Sequence, residues 1–171
     1  ERAARDAREL YDLKRAKAWY QSAMALVEVD HVSRLLPVLE GFAESAFTGA
    51  EFVEAKRAYR ALCEASLITQ ERGIGARAWL MQGRAQRSLG QLRAAHASFA
   101  HAEELFRLEK DESGLADALE QRGNLARLEG ADGACKAALE LFEVCLELRQ
   151  RAGDVRAVAK SLENIASTHL Q

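Results

Sequence analysis

Residues 79–102 read WLMQGRAQRSLGQLRAAHASFAHA. In this stretch Trp79 is followed four residues later by Gly83, Gly90 interrupts the run, and Ala95, Phe99 and Ala102 then fall at i, i+4 and i+7. That spacing puts the last three on one stripe of an α-helix. The Trp79/Gly83 pair sets a bulky group beside a notch on one face of an earlier helix, where another helix can come close. Two amphipathic helices joined at a glycine make an antiparallel hairpin.

The pattern recurs along the chain. Ala16, Tyr20 and Ala23 repeat the stripe, as do Ala55, Tyr59 and Leu62, and Ala138, Phe142 and Cys145. The bulky and small pair returns as Leu39 with Ala43, Leu119 with Gly123, and Leu162 with Ala166. The bulky members lie 40, 40 and 43 residues apart, and the three extra residues fall in the turn EGADGA at 129–134. A short insertion in a turn costs little. A fixed period of this length is the signature of a stacked helical array. The spacing predicts helix pairs over 33–48 with 50–71, 74–89 with 91–109, and 113–129 with 133–151, then a lone helix over 154–170. Gly49, Gly90 and Gly130 are expected where first helices end, and Gly73, Gly75, Gly114 and Gly153 in the joints between pairs. Residues 1–29 read as one more helix, the second half of an earlier repeat.

Composition supports an all-α fold. The chain has 171 residues, is rich in alanine, leucine, arginine and glutamate, carries only 6% aromatics, and has a single proline, Pro37. These are helix formers and poor sheet formers. The 24 basic and 26 acidic residues leave a net charge of −2, with no global field to draw in nucleic acid or an anionic membrane. No apolar run is long enough to span a bilayer. Cys63, Cys135 and Cys145 have no CxxC pairing and sit in apolar helical patterns, so all three are expected as buried thiols in a reducing, cytoplasmic setting. The chain opens on Glu1 without a methionine and closes on a first helix without its second, so a fragment of a longer protein is expected.

Residues 79–102 resemble a tetratricopeptide repeat (TPR), matching its bulky residue at Trp79, small residue at Gly83, turn glycine at Gly90 and the Ala95, Phe99, Ala102 stripe. The resemblance extends over residues 31–171. It departs from the family in a spacing near 40 where about 34 is usual. Gln82 and Arg122 stand where leucine is common, and Gln86, Ala126 and His169 replace tyrosine. The longer-helix variety of the family is the better likeness. The resemblance implies a right-handed superhelix of antiparallel pairs. Its organisation would be an N-terminal helix, 1–30, acting as a half-repeat or connector, and an array, 31–171. The array's repeats would lie at about 33–72, 73–112 and 113–152, with a half-repeat at 153–171.

In this family the first helix of each pair lines the concave side. Carried onto this sequence, that face holds Glu40, Glu44 and Phe47; Leu80, Arg84 and Arg87; Glu120, Asn124 and Arg127; Glu163 and Ser167. Arg77, Asp117 and Lys160 extend it by one turn. Arg77, Arg84, Arg87 and Arg127 are expected to form a guanidinium cluster able to grip carboxylates. Asn124, with Asn164 nearby, suits the main chain of an extended peptide. The expected partner-binding set is therefore Arg77, Leu80, Arg84, Arg87, Glu120, Asn124, Arg127, Lys160, Glu163 and Asn164. The competing interpretation is a solvated face laced with weak i, i+4 ion pairs.

Chemistry of other kinds lacks a basis in the sequence. No GxSxG, HExxH, GxxxxGK or GxGxxG occurs. His96 and His101 are five apart, the wrong spacing to share a metal on a helix, and His31 and His169 have no ligand-type neighbours. No cofactor, metal or catalysis is expected. The aromatic stripe Tyr20, Tyr59, Phe99, Phe142 reads as core between helices. Two functions remain: a non-catalytic interaction module binding a peptide segment that carries acidic groups, or a sensory, dimerising segment of a larger signalling or transcription-regulating protein. The second would use the arginine-rich N-terminal helix or the terminal repeats to form a homodimer.

Overall fold

The computed structural model describes residues 32–130 and 133–170. Seven helices follow one another there: α1 Val32–Thr48, α2 Phe52–Thr69, α3 Arg72–Ser88, α4 Leu92–Glu109, α5 Glu112–Glu129, α6 Ala134–Ala152 and α7 Val155–His169. No strand occurs among the described residues. The expected N-terminal helix, with its Ala16, Tyr20, Ala23 stripe, lies outside them, as does His31.

Each helix packs on the next, and α3 also touches α5. That contact between alternate helices sets α3 and α5 side by side on one face of the stack, where residues of α1 line a common cavity with them. The core is the apolar stripe of each second helix pressed into the notch of the first. Tyr59, Phe99 and Phe142 are buried, as are Ala43, Gly83 and Gly123. A Cβ on Gly83 would come within 2.5 Å of the Phe99 ring, and one on Gly123 within 2.6 Å of the Phe142 ring. No larger residue fits at either notch without moving an aromatic ring.

The bulky positions hold their places along the stack but not their burial. Leu119 is buried, Leu39 and Trp79 are half-buried, and Leu162 is 50% exposed. Trp79 packs against two core clusters at once and lays its indole on His101, with ring centroids 4.8 Å apart. It is a bridge between repeats, and its outer edge stays in contact with solvent. Leu162 and Ala166 are open because no second helix lies over α7 among the described residues.

Two expectations about glycine are corrected. Gly73, Gly75 and Gly114 lie inside α3 and α5, not in the joints. Gly75 and Gly114 serve close approach: a Cβ on Gly75 would sit 2.7 Å from Ser66 Oγ, and one on Gly114 would run into the Phe106 ring. The left-handed residues that end α2 and α4 are Gln70 and Lys110, and Ala50 takes the same conformation after α1. Among the described residues only Gly90, Gly130, Gly133 and Gly153 combine glycine with positive φ. Starts are set differently again. Asp111 and Asp154 accept from the amides of Gly114 and Ala157 at 2.9 and 3.0 Å, capping α5 and α7.

The cysteine expectation also needs correction. Cys63 and Cys145 are buried, whereas Cys135 is exposed in the first turn of α6. It shares a face with Ala138 and Phe142, three and seven residues on, but sits in the turn before the buried part of the helix begins at Ala138. The polar residues that replace the usual leucine and tyrosine find partners instead of apolar packing. Gln82 Oε1 accepts from Cys63 Sγ at 3.6 Å, Gln86 Oε1 accepts from Ser98 Oγ at 2.7 Å, and Arg122 pairs with buried Glu103.

Candidate functional site on the inner face

An open cavity of about 360 Å³ lies between α1, α3 and α5. Its floor comes from the second helices, through Tyr59, Leu62 and Phe106, and from Leu80 and Met81 of α3. Its rim carries Glu40 and Glu44 of α1, Arg77 and Arg84 of α3, Asp111 just before α5 and Asp117 within it. Helical spacing explains the rim, because i and i+4 residues of α1 and i and i+7 residues of α3 rise on one face.

The charges there are unevenly matched. Arg77 Nε lies 3.8 Å from Glu40. Arg84 has no carboxylate partner among the described residues; its guanidinium lies over the Phe47 ring, 5.6 Å from the centroid, and Nη1 contacts Met81 Sδ at 3.5 Å. Its Nε is buried without an acceptor, as is the hydroxyl of Tyr59. Burial, followed by the charges of Glu44 and Glu40, pushes the Tyr59 phenol far above its ordinary range, while Arg84 opposes them. Arg87, half-buried one turn beyond Arg84, makes no ion pair among the described residues. Burial and then the charge of Arg84 pull its pKa below the usual value, against the pull of Glu120.

A second polar cluster lies between α5, α6 and α7. Arg149 reaches inward from α6 and is almost fully buried. Its Nη2 donates to Asp117 at 2.8 Å and to Glu120 at 2.6 Å, and its Nη1 donates to Ser161 Oγ at 2.9 Å. Lys160 Nζ lies 2.7 Å from the other oxygen of Glu120. Burial alone would raise the Glu120 carboxyl, but hydrogen bonds from Lys160 and Arg149 hold it below the usual range. Burial likewise opposes the charge on Arg149, and its bonds to Glu120 and Asp117 outweigh that and raise its pKa.

A third set joins α5 to α7. Arg127 donates to Ser167 Oγ at 2.6 Å and to Asn124 Oδ1 at 3.3 Å, and its guanidinium lies over the Phe142 ring at 5.7 Å. Asn164 accepts from Ser167 and Thr168 through its backbone carbonyl, while its Nδ2 is buried without a partner.

The predicted residues thus separate into three groups. Arg77, Leu80 and Arg84 line the cavity, with Arg87 beside it. Glu120, expected to face a partner, is 2% exposed and held by Arg149 and Lys160. Asn124, Arg127 and Asn164 belong to the α5–α7 contact, and Glu163 is exposed on α7. Of the four arginines expected to cluster, Arg77 and Arg84 line the same cavity, Arg87 lies next to Arg84, and Arg127 turns towards α7. Arg127 is drawn there by Ser167, and Arg77 leans on Glu40.

Sequence reasoning missed Arg149 and the Tyr59 hydroxyl. Arg149 continues the buried stripe of Phe142 and Cys145 at i+7, where a charge requires a buried counter-charge. Tyr59 is a phenol at a position where α4 and α6 have phenylalanine.

No group of metal-ligating side chains occurs among the described residues. None of the described helices is long and apolar enough to cross a membrane. No protein-family model matches the chain, and no curated protein matches it by sequence. Solved structures do match it in shape. BtubC (BKLC) from P. vanneervenii superposes with a TM-score of 0.80 at 15% identity over 92% of this chain. A protein of Podosopora anserina assigned as a kinesin light chain, with nearly identical TPR-like repeats, superposes with a TM-score of 0.63 at 14% identity over 98% of this chain and 90% of its own. The fold is a TPR-like solenoid. The present chain spans 65% of the length of BtubC, so the TPR-like stack described here corresponds to part of that protein.

Proposed function

We propose that this chain is a non-catalytic protein-interaction scaffold that receives a segment of a partner protein along its inner face. Acidic side chains of that segment would be held at Arg84 and Arg87. The observation that carries this reading is the pairing of two half-buried guanidiniums one turn apart, neither with a carboxylate partner among the described residues. Two like charges so placed repel, and an anion between them would accept from both.

Arg77 and Leu80 would form the wall and floor next to that point. Asn124, Arg127, Lys160, Glu163 and Asn164 would continue the trough towards α7, with Glu120 beneath them as the anchor of Lys160. The balanced net charge favours protein over nucleic acid or membrane as partner. Free thiols at Cys63, Cys135 and Cys145 suit the cytoplasm.

Peptides selected from a random displayed library on the immobilised chain test this, with affinities read by fluorescence anisotropy. Replacing Arg84 and Asn124 together by alanine should weaken the selected peptides at least tenfold, about 1.4 kcal/mol. Unchanged affinity would move the binding surface off the inner face.

A further inference from the structure

Building on the inner-face reading, we infer that the cavity between α1, α3 and α5 is an anchor pocket for a side-chain carboxamide, a glutamine or asparagine of the bound segment. Its walls hold two buried donors with no acceptor: Tyr59 Oη, on a residue only 2% exposed, and Arg84 Nε. A buried donor left unsatisfied is unfavourable, so an acceptor oxygen entering the cavity gains what the free protein lacks.

The mouth presents the opposite need. Of its carboxylates, Glu40 faces Arg77, Asp117 is held by Arg149, and Asp111 caps α5. Glu44 has no ion-pair or hydrogen-bond partner among the described residues. The pocket therefore asks for an acceptor inside and a donor at the rim. A ligand carboxylate would satisfy Tyr59 and Arg84 but confront Glu44. An ammonium would satisfy Glu44 and leave the inner donors alone. A primary amide carries an acceptor oxygen and an NH₂ donor on one carbon and meets both.

The cavity's volume of about 360 Å³ and its apolar floor at Leu62, Leu80, Met81 and Phe106 suit the methylene stem of one side chain. Tyr59 Oη is covered in the free chain, so entry of the amide requires a long lining side chain, such as Arg84 or Met81, to turn aside.

The probe is N-acetyl-L-glutamine N-methylamide, titrated into the full chain and followed by amide chemical shifts. The comparison set has glutamate, lysine, norleucine and alanine in place of glutamine. The glutamine compound should shift the resonances around Tyr59 and of Ala78–Met81, and bind at least about fivefold tighter than each of the others. Tyr59→Phe should leave the melting temperature unchanged or higher, since it removes an unsatisfied group, and should erase the preference. Glu44→Gln, at an exposed position, should reduce the preference too, and it carries the test should Tyr59→Phe fail to fold. Equal binding of the norleucine compound, tighter binding of the glutamate or lysine compound, or no shifts at these residues would overturn the anchor. Selected peptides that lose affinity on Arg84→Ala yet ignore both Tyr59→Phe and Glu44→Gln would overturn the anchor alone and leave the inner-face reading standing.

Discussion

Gly83 lies against the ring of Phe99, so close that an added Cβ would stand 2.5 Å from a ring carbon. This contact seats α4 in α3, and the same contact between Gly123 and Phe142 seats α6 in α5. Gly83→Ala gains up to about 1 kcal/mol of helix propensity. It also forces a buried ring to shift, which costs about 1–3 kcal/mol. The clash wins, and urea denaturation should show a net loss of stability for either alanine variant.

The bulky residues should rank by how much of the stack covers them. Trp79→Ala removes a half-buried indole that touches two clusters and should cost about 2–3 kcal/mol, below the range for a fully buried tryptophan. Leu162→Ala removes a side chain open on α7 and should cost less than about 1 kcal/mol. Denaturant midpoints at constant m-value measure both.

Helix order and repeat phase were legible because each rests on a periodicity that only a helix makes. The observed helix ends fall within two residues of the expected ones. Turn chemistry was less legible. Glycine serves both positive φ and close approach, and spacing alone does not tell Gly114, pressed on Phe106, from Gly153, which ends a helix. The inner face was legible as a set of positions, but not in the charges left over after pairing. Arg149 enters from α6 and takes up Glu120 and Asp117, a contact across 29 and 32 residues that no local pattern announces.

That cluster makes acid stability depend on Glu120. Its carboxyl titrates lower in the folded protein than its ordinary value of about 4.3. The stabilisation is therefore complete above that value and disappears as pH falls through the lower folded one. Glu120→Gln should flatten the acid limb of the stability profile. At neutral pH it leaves Arg149 with one carboxylate and should cost about 3 kcal/mol. Thermal melts between pH 3 and pH 7, run at about 0.15 M salt, check both the slope and the loss.

Thiol labelling separates the cysteines. Burial is the main cause that pushes the thiols of Cys63 and Cys145 up to about 12, so neither offers thiolate at neutral pH. Cys135 is exposed. A disulfide reagent at neutral pH should modify Cys135 rapidly in the native chain and reach the other two only on unfolding, as intact mass should show.

Hydrogen exchange on the chain with and without a library-selected peptide maps where the partner segment lies. Binding along the inner face predicts new protection around Glu40–Glu44 of α1, Arg77–Arg87 of α3 and Asp117–Arg127 of α5. Protection confined to α2, α4 and α6 would contradict it.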